Sequence, residues 1–330
     1  MLGECVQNVL VTGGFGFIGS HLVEQLVLER DLRVHVVDDL SSSAIDLPAY
    51  LARFNGEITY DICTVREFFS RPDLPAFNEI YHLAAVVGPV GVLKYGGCIL
   101  RKTVDDTYLI ADYARRVGAA LCNVSTSEVY GGGRDGYCSE KDYMVIPPKS
   151  SVRLEYAVAK LACEVALVNM TRMSSLRATT VRPFNVAGPR QSGAGGFVLP
   201  RFIRQALAGE PLTVYGDGSS VRAFTHVKDI ADGIIRAMRH GCSGEAYNIG
   251  NPANKTTILD LAKHVLRIVG GPSVIAFVDP KQLWGPLFEE ANDKYPDADR
   301  AIMELGWKPR WDLEDSIRES AEYIREGRSD

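Results

Sequence analysis

A chain of 330 residues, 46% hydrophobic and 23% charged, has the composition of a globular protein built as one large domain with an appended lobe, or as two domains. Its formal charge of −5 argues against nucleic acid as a main partner, and no apolar run approaches the roughly 18 residues needed to span a membrane. Seven cysteines without a C-x-x-C pair fit reduced thiols, six histidines lack metal-ligand spacing, and the N-terminus has no basic leader, so a cytoplasmic protein without a metal is expected.

The first strand, VLVTGG, runs into a helix over 17–29 and then into a second strand, RVHVVDD. Between the first strand and the helix lie Gly13, Gly16 and Gly19, where missing side chains let backbone amides approach a pyrophosphate at the helix N-terminus. Asp38 ends the second strand, about 20 residues on, where a carboxylate can accept hydrogen bonds from a ribose diol and repel a 2′-phosphate. The spacing therefore predicts NAD rather than NADP; the competing reading makes Asp38 a cap of the turn before Leu40-Ser41-Ser42, a role expected of Asp39 instead.

The rhythm continues through ITYDI, EIYHLAA and ALCNVST, with helices at about 102–117 and 154–172 and a further strand in TTVRPFNV. Such alternation predicts an α/β fold, a doubly wound parallel sheet of Rossmann type. Beyond it, residues 187–221 are rich in Gly and Pro around one helix near 198–208. The expected organisation is an NAD-binding domain over 1–185, to which 223–251 return through the strand AYNIGN, and a smaller C-terminal lobe over 186–330 for the substrate.

Two segments carry the chemistry. Tyr156-Ala-Val-Ala-Lys160 sets a phenol and an ammonium at i and i+4 on one helix face. The nearby cation favours phenolate, which can take a proton from a substrate hydroxyl while hydride leaves for NAD⁺. Upstream, STSEVYG places Thr126, Ser127 and Glu128 directly after an apolar strand.

The spacing G-x-x-G-x-x-G, the Tyr-Lys pair and the preceding Ser/Thr resemble the extended short-chain dehydrogenase/reductase superfamily. RPFNVAGPRQ (182–191), LTVYGDGSSVRAFTHVKDIADGI (212–234) and YNIGNP (247–252) resemble its members that act on nucleotide sugars, so the resemblance spans nearly the whole chain. It implies cofactor contacts from Gly13, Gly16, Phe17, Ile18, Gly19, Asp38, Asp61, Ile62, Leu83, Ala84, Ala85, Tyr156, Lys160 and Pro183. It implies substrate contacts from Glu128, Asn185, Tyr215, Arg222 and Lys294, and a homodimer paired through the helices near 102–117 and 154–172. For Arg222, a surface pair with Asp217 or Asp229 is the competing reading; for Tyr215, a core position; for Lys294, a solvated surface site.

Within the superfamily, 4,6-dehydratases carry Thr-Asp-Glu where this chain has Thr126-Ser127-Glu128, and a serine cannot protonate a departing hydroxyl. Thr-Ser-Glu resembles the UDP-glucuronate decarboxylases, including the UDP-xylose synthases. That resemblance implies NAD-dependent decarboxylation of UDP-glucuronate through a 4-keto intermediate, releasing UDP-xylose or a UDP-4-keto-pentose, with Thr126, Ser127, Glu128, Tyr156 and Lys160 as catalytic residues. UDP and dTDP sugars both stay open as substrates. The alternatives are a nucleotide-sugar 4-epimerase, a 4,6-dehydratase, or a non-catalytic NAD-binding protein. Two departures stand out: Lys294 occupies the place of an arginine before a Pro-Asp pair, and Thr103-Val-Asp-Asp106-Thr107 replaces Asn-x-x-Gly-Thr.

Overall fold

The computed structural model describes residues 6–29, 31–131, 136–144, 146, 152–193, 196–286 and 293–327. Six parallel strands come first: β1 (Gln7–Thr12), β2 (Leu32–Asp38), β3 (Ile58–Ile62), β4 (Glu79–His82), β5 (Ala120–Val124) and β6 (Arg177–Pro183). A seventh, Ala246–Ile249, joins them, and across the sheet the order is Ala246–Ile249, β6, β5, β4, β1, β2, β3. Chain order reverses between β1 and β4, and ligands of doubly wound sheets bind at such a switch point, outside the strands' carboxyl ends. In register, Thr12 faces His82, Val124 faces Val181 and Pro183 faces Ile249, so these strands end along one edge.

Alternation along the strands fills two cores. Val9, Val11, Val36 and Tyr81 pack on one face with helices Phe17–Val27 and Val227–His240. Leu10, Val37, Ile80 and Leu121 face the other way, against helices Ile99–Val117 and Val152–Met173. A third core gathers helices Val198–Ala208, Ile258–Val269 and Leu313–Arg325 around Phe202, Leu212 and Val265. The predicted return of AYNIGN to the sheet is observed, because Ala246–Ile249 pairs with β6 in parallel. Among the described residues, no helix is long and apolar enough to cross a membrane.

Candidate active site

The turn after β1 is shaped by close backbone approach. Gly13 has φ of +72°, and a Cβ there would stand 2.7 Å from the amide nitrogen of Ala84. A Cβ on Gly19 would lie 2.0 Å from the Gly13 carbonyl oxygen, so any side chain at this position drives helix and turn apart. Gly16 caps the helix, with Phe17 and Ile18 as its first two residues. Asp38 is buried; its Oδ2 accepts from the Phe15 amide at 2.9 Å and its Oδ1 from the Leu40 amide at 2.8 Å. Burial raises its pKa, and these amides oppose the rise. Asp39 caps the following turn by accepting from the Ser41 amide at 3.0 Å.

Leu83, Ala84 and Ala85 follow β4 directly, and the Leu83 amide donates to the Thr12 carbonyl at 3.0 Å. Asp61 and Ile62 end β3: the Asp61 carboxylate meets His35 at 3.0 Å and Arg71 at 2.9 Å, and Ile62 is exposed. This groove fits a dinucleotide: a side-chain-free turn opens a helix N-terminus beside an inward carboxylate.

At the end of β5 the chain enters a 3₁₀ turn, Ser127–Tyr130, whose N-cap Thr126 accepts from the Glu128 amide at 3.2 Å. Thr126 stands near enough to the Tyr156 phenol to lower its pKa, and the turn packs against the long helix. Burial raises the Tyr156 pKa; the Thr126 contact lowers it and the charge of Glu128 raises it again. Lys160 is 1% exposed and donates from Nζ to the Val124 carbonyl at 2.8 Å. Burial lowers its pKa, while Cys163, Glu164 and Asp106 oppose that shift.

Lys294 is the finding the sequence left open. It is 1% exposed rather than solvated, and its Nζ pairs with Glu128 Oε1. Its carbonyl accepts from Asn185 Nδ2 at 3.2 Å, and its amide donates to the Val221 carbonyl at 3.2 Å. Asn185 itself sits at φ of +36°, just after β6 and Pro183. Arg222 is buried, its backbone pairs with that of Lys294 in an isolated parallel β-bridge, and its side chain donates to the Val221 carbonyl at 2.8 Å. The surface pairs considered for it have other occupants: Asp217 accepts from the Ser219 amide, and Asp229 from the amides of Arg310 and Trp311. Tyr215 lies under the Arg201 guanidinium, 3.9 Å from its ring centre, a contact that sequence reading did not anticipate.

Also unanticipated is a buried polar network beneath the turn. Arg182 Nη2 reaches Glu164 Oε2 at 2.6 Å, Ser125 donates to the same carboxylate, and Arg182 Nη1 reaches the Tyr130 hydroxyl at 2.7 Å. Tyr130 then donates to Asn248 Oδ1 at 2.8 Å. One signal was present in the sequence: Glu164 follows Lys160 by four residues and so shares its helix face.

Residues 9–250 match the NAD dependent epimerase/dehydratase family. A UDP-N-acetyl-alpha-D-glucosaminuronate decarboxylase of Bacillus cytotoxicus is 32% identical, over 98% of this chain and 99% of its own length. UDP-glucuronic acid decarboxylase 1 of Xenopus tropicalis is 31% identical, over 97% of this chain and 72% of its own. Among solved structures, UDP-glucose 4-epimerase of Thermotoga maritima superposes with a TM-score of 0.84 at 27% identity, covering 97% of this chain and 99% of that one. UDP-glucuronic acid 4-epimerase of Bacillus cereus, in complex with UDP-glucuronic acid and NAD, gives 0.82 at 25%, with the same coverage. With its glycine turn, its Tyr-Lys helix and this match over most of its length, the chain belongs to the NAD-dependent epimerase/dehydratase family of enzymes.

Proposed function

We propose that this protein is an NAD-dependent decarboxylase of UDP-glucuronate. The observation that carries the reading is Ser127, between Thr126 and Glu128, with the buried ammonium of Lys294 against Glu128. A 4,6-dehydratase needs an acid where Ser127 stands. A decarboxylase needs only to hold a carboxylate and supply one proton, and the names of the Xenopus tropicalis and Bacillus cytotoxicus relatives support that class.

The bound NAD supplies a hydride acceptor and, later, a hydride donor. Tyr156, as phenolate, removes the proton of the C4 hydroxyl while Thr126 holds its oxygen and the charge of Lys160 stabilises the phenolate. Once C4 is a ketone, the C5 carboxylate belongs to a β-keto acid: the C5–carboxyl bond breaks, its electrons enter the carbonyl and CO₂ departs. Ser127 and Lys294 orient that carboxylate, and Glu128 handles the proton that C5 takes up. Arg222 and Asn185 serve the substrate diphosphate and sugar, and Tyr215 serves the base. Gly13, Gly16, Phe17, Ile18 and Gly19 cradle the pyrophosphate, Asp38 takes the ribose, Asp61 and Ile62 border the adenine, and Leu83, Ala84, Ala85 and Pro183 line the remainder.

Exposed Leu100, Tyr108, Val165 and Met173 on the two long helices support a homodimer joined along that face. Mass spectrometry after incubation with UDP-glucuronate and NAD⁺ tests the activity. Loss of about 44 mass units without net NADH identifies UDP-xylose as product, and loss of about 46 with NADH identifies the released 4-keto-pentose. UDP-N-acetylglucosaminuronate is the second substrate to offer, given the Bacillus cytotoxicus relative. The 4-epimerase reading, favoured by the Thermotoga maritima neighbour, predicts an unchanged mass.

A further inference from the structure

We infer that the Tyr130 hydroxyl and the Asn248 amide form a joint that holds Glu128 in register with Lys294, coupling the decarboxylating pair to the Tyr-Lys helix. The inference rests on the proposed roles of these groups, but its geometry does not depend on the substrate. Glu128 lies inside the turn Ser127–Tyr130. The turn is fixed at both ends by one buried charge pair: Ser125 donates to Glu164, and Arg182, bound to that same Glu164, donates to the Tyr130 hydroxyl at 2.7 Å. Glu164 is two helical turns beyond Tyr156 and one beyond Lys160, so the carboxylate that anchors the turn rides on the helix carrying the proposed base.

The hydroxyl also faces the other way. It donates to Asn248 Oδ1 at 2.8 Å, and Asn248 Nδ2 donates to the carbonyls of Cys138 at 3.0 Å and Asp297 at 3.3 Å. The Asp297 amide donates back to the Cys138 carbonyl at 2.8 Å, so the segment that carries Lys294 is held three residues away by the same amide. Glu164, Arg182, Ser125, Tyr130 and Asn248 are each no more than 5% exposed. A hydroxyl buried here and bonded on both sides leaves little freedom to its neighbours, whereas an incomplete buried network loosens them. The hydrogen bonds of Tyr130 and Asn248 all go to protein groups, and neither residue is assigned to the sugar or the cofactor; they are positioning residues.

Tyr130→Phe deletes the joint but keeps the ring that packs against Phe184 at 5.9 Å. The test is a double-mutant cycle of Glu128→Gln and Lys294→Met, measured by urea unfolding in the wild-type and the Tyr130→Phe backgrounds. The inference predicts that the Glu128–Lys294 coupling falls by half or more when the hydroxyl is absent. Equal coupling in both backgrounds, however much Tyr130→Phe lowers overall stability, overturns it. In single turnover with UDP-glucuronate, Tyr130→Phe is further expected to reduce NAD⁺ within about threefold of the wild-type rate while CO₂ released per NADH formed falls about tenfold or more. A proportional fall in both rates also overturns it. Wild-type protein that shows the coupling but evolves no CO₂ rejects the decarboxylase reading and leaves the joint standing.

Discussion

At the scale of single residues, the proposed chemistry depends on making the Tyr156 phenol basic. Burial raises the Tyr156 pKa and Thr126 opposes that rise; in the proposed mechanism the charge of Lys160 adds to the opposition. Tyr156→Phe is expected to lower the rate of NAD⁺ reduction by about 10²–10⁴-fold while leaving NAD binding intact, measured by A340 and by cofactor titration. Lys160→Met removes a cation from the phenolate, so its rate profile should move to higher pH by about one unit or more. An unmoved profile would show that Lys160 does not tune the base. Asp106 offers a test of stability. It is buried, and burial raises its carboxyl from 3.8 to about 6. The folded state then binds more protons than the unfolded state between those values, so stability falls as pH rises through that window and stays reduced above it. Asp106→Asn should therefore stabilise the protein at pH 7.5 by about 1–2 kcal/mol, after allowance for screening, and by nearly nothing at pH 3.5, as read from urea midpoints. Tyr156, Lys160 and Thr126 stand out as candidates because each belongs to a short local pattern. The burial of Lys294 was not, since its partner Glu128 stands 166 positions away.

Among elements, the helices were the most legible. Periodicity predicts 198–208, and the structure has Val198–Ala208; it predicts 17–29 and about 102–117, where the observed helices are Phe17–Val27 and Ile99–Val117. The long helix begins at Ile99 because Glu155 accepts from the amides of Gly97 and Leu100, a tertiary support at its N-terminus that local pattern does not reveal. The glycine turn was legible in type as well as position. Gly19→Ala would press a methyl against the Gly13 carbonyl, and a loss of about 1–3 kcal/mol, with weakened NAD binding, is expected from calorimetry and cofactor titration. Wild-type affinity in that variant would show that the turn is not the pyrophosphate cradle. The network under the turn Ser127–Tyr130 escaped sequence reading for a physical reason. Its bonds join positions from 18 to 118 apart, and no periodicity encodes such pairs.

The molecule as a whole is interleaved. Alternation of strand and helix made the parallel sheet legible, AYNIGN included, but sequence does not say how the segments beyond residue 251 are tied to it. Trp307, fully buried, packs in the core that also holds Val9, Val36 and Tyr81 of the sheet, and its Nε1 donates to the Asp229 carbonyl at 2.9 Å. Trp307→Ala should cost about 3–5 kcal/mol and lower one cooperative unfolding transition, monitored by circular dichroism. A separate early transition that spared the sheet would contradict this interleaving. The central claim is that this fold removes the C5 carboxylate of a UDP-uronate. Its most direct test is to incubate the purified protein with NAD⁺ and UDP-glucuronate labelled in the carboxyl carbon, then trap the evolved gas. Labelled CO₂ in step with lost substrate is the expected result. Substrate converted with its label retained would contradict the account and make the enzyme an epimerase.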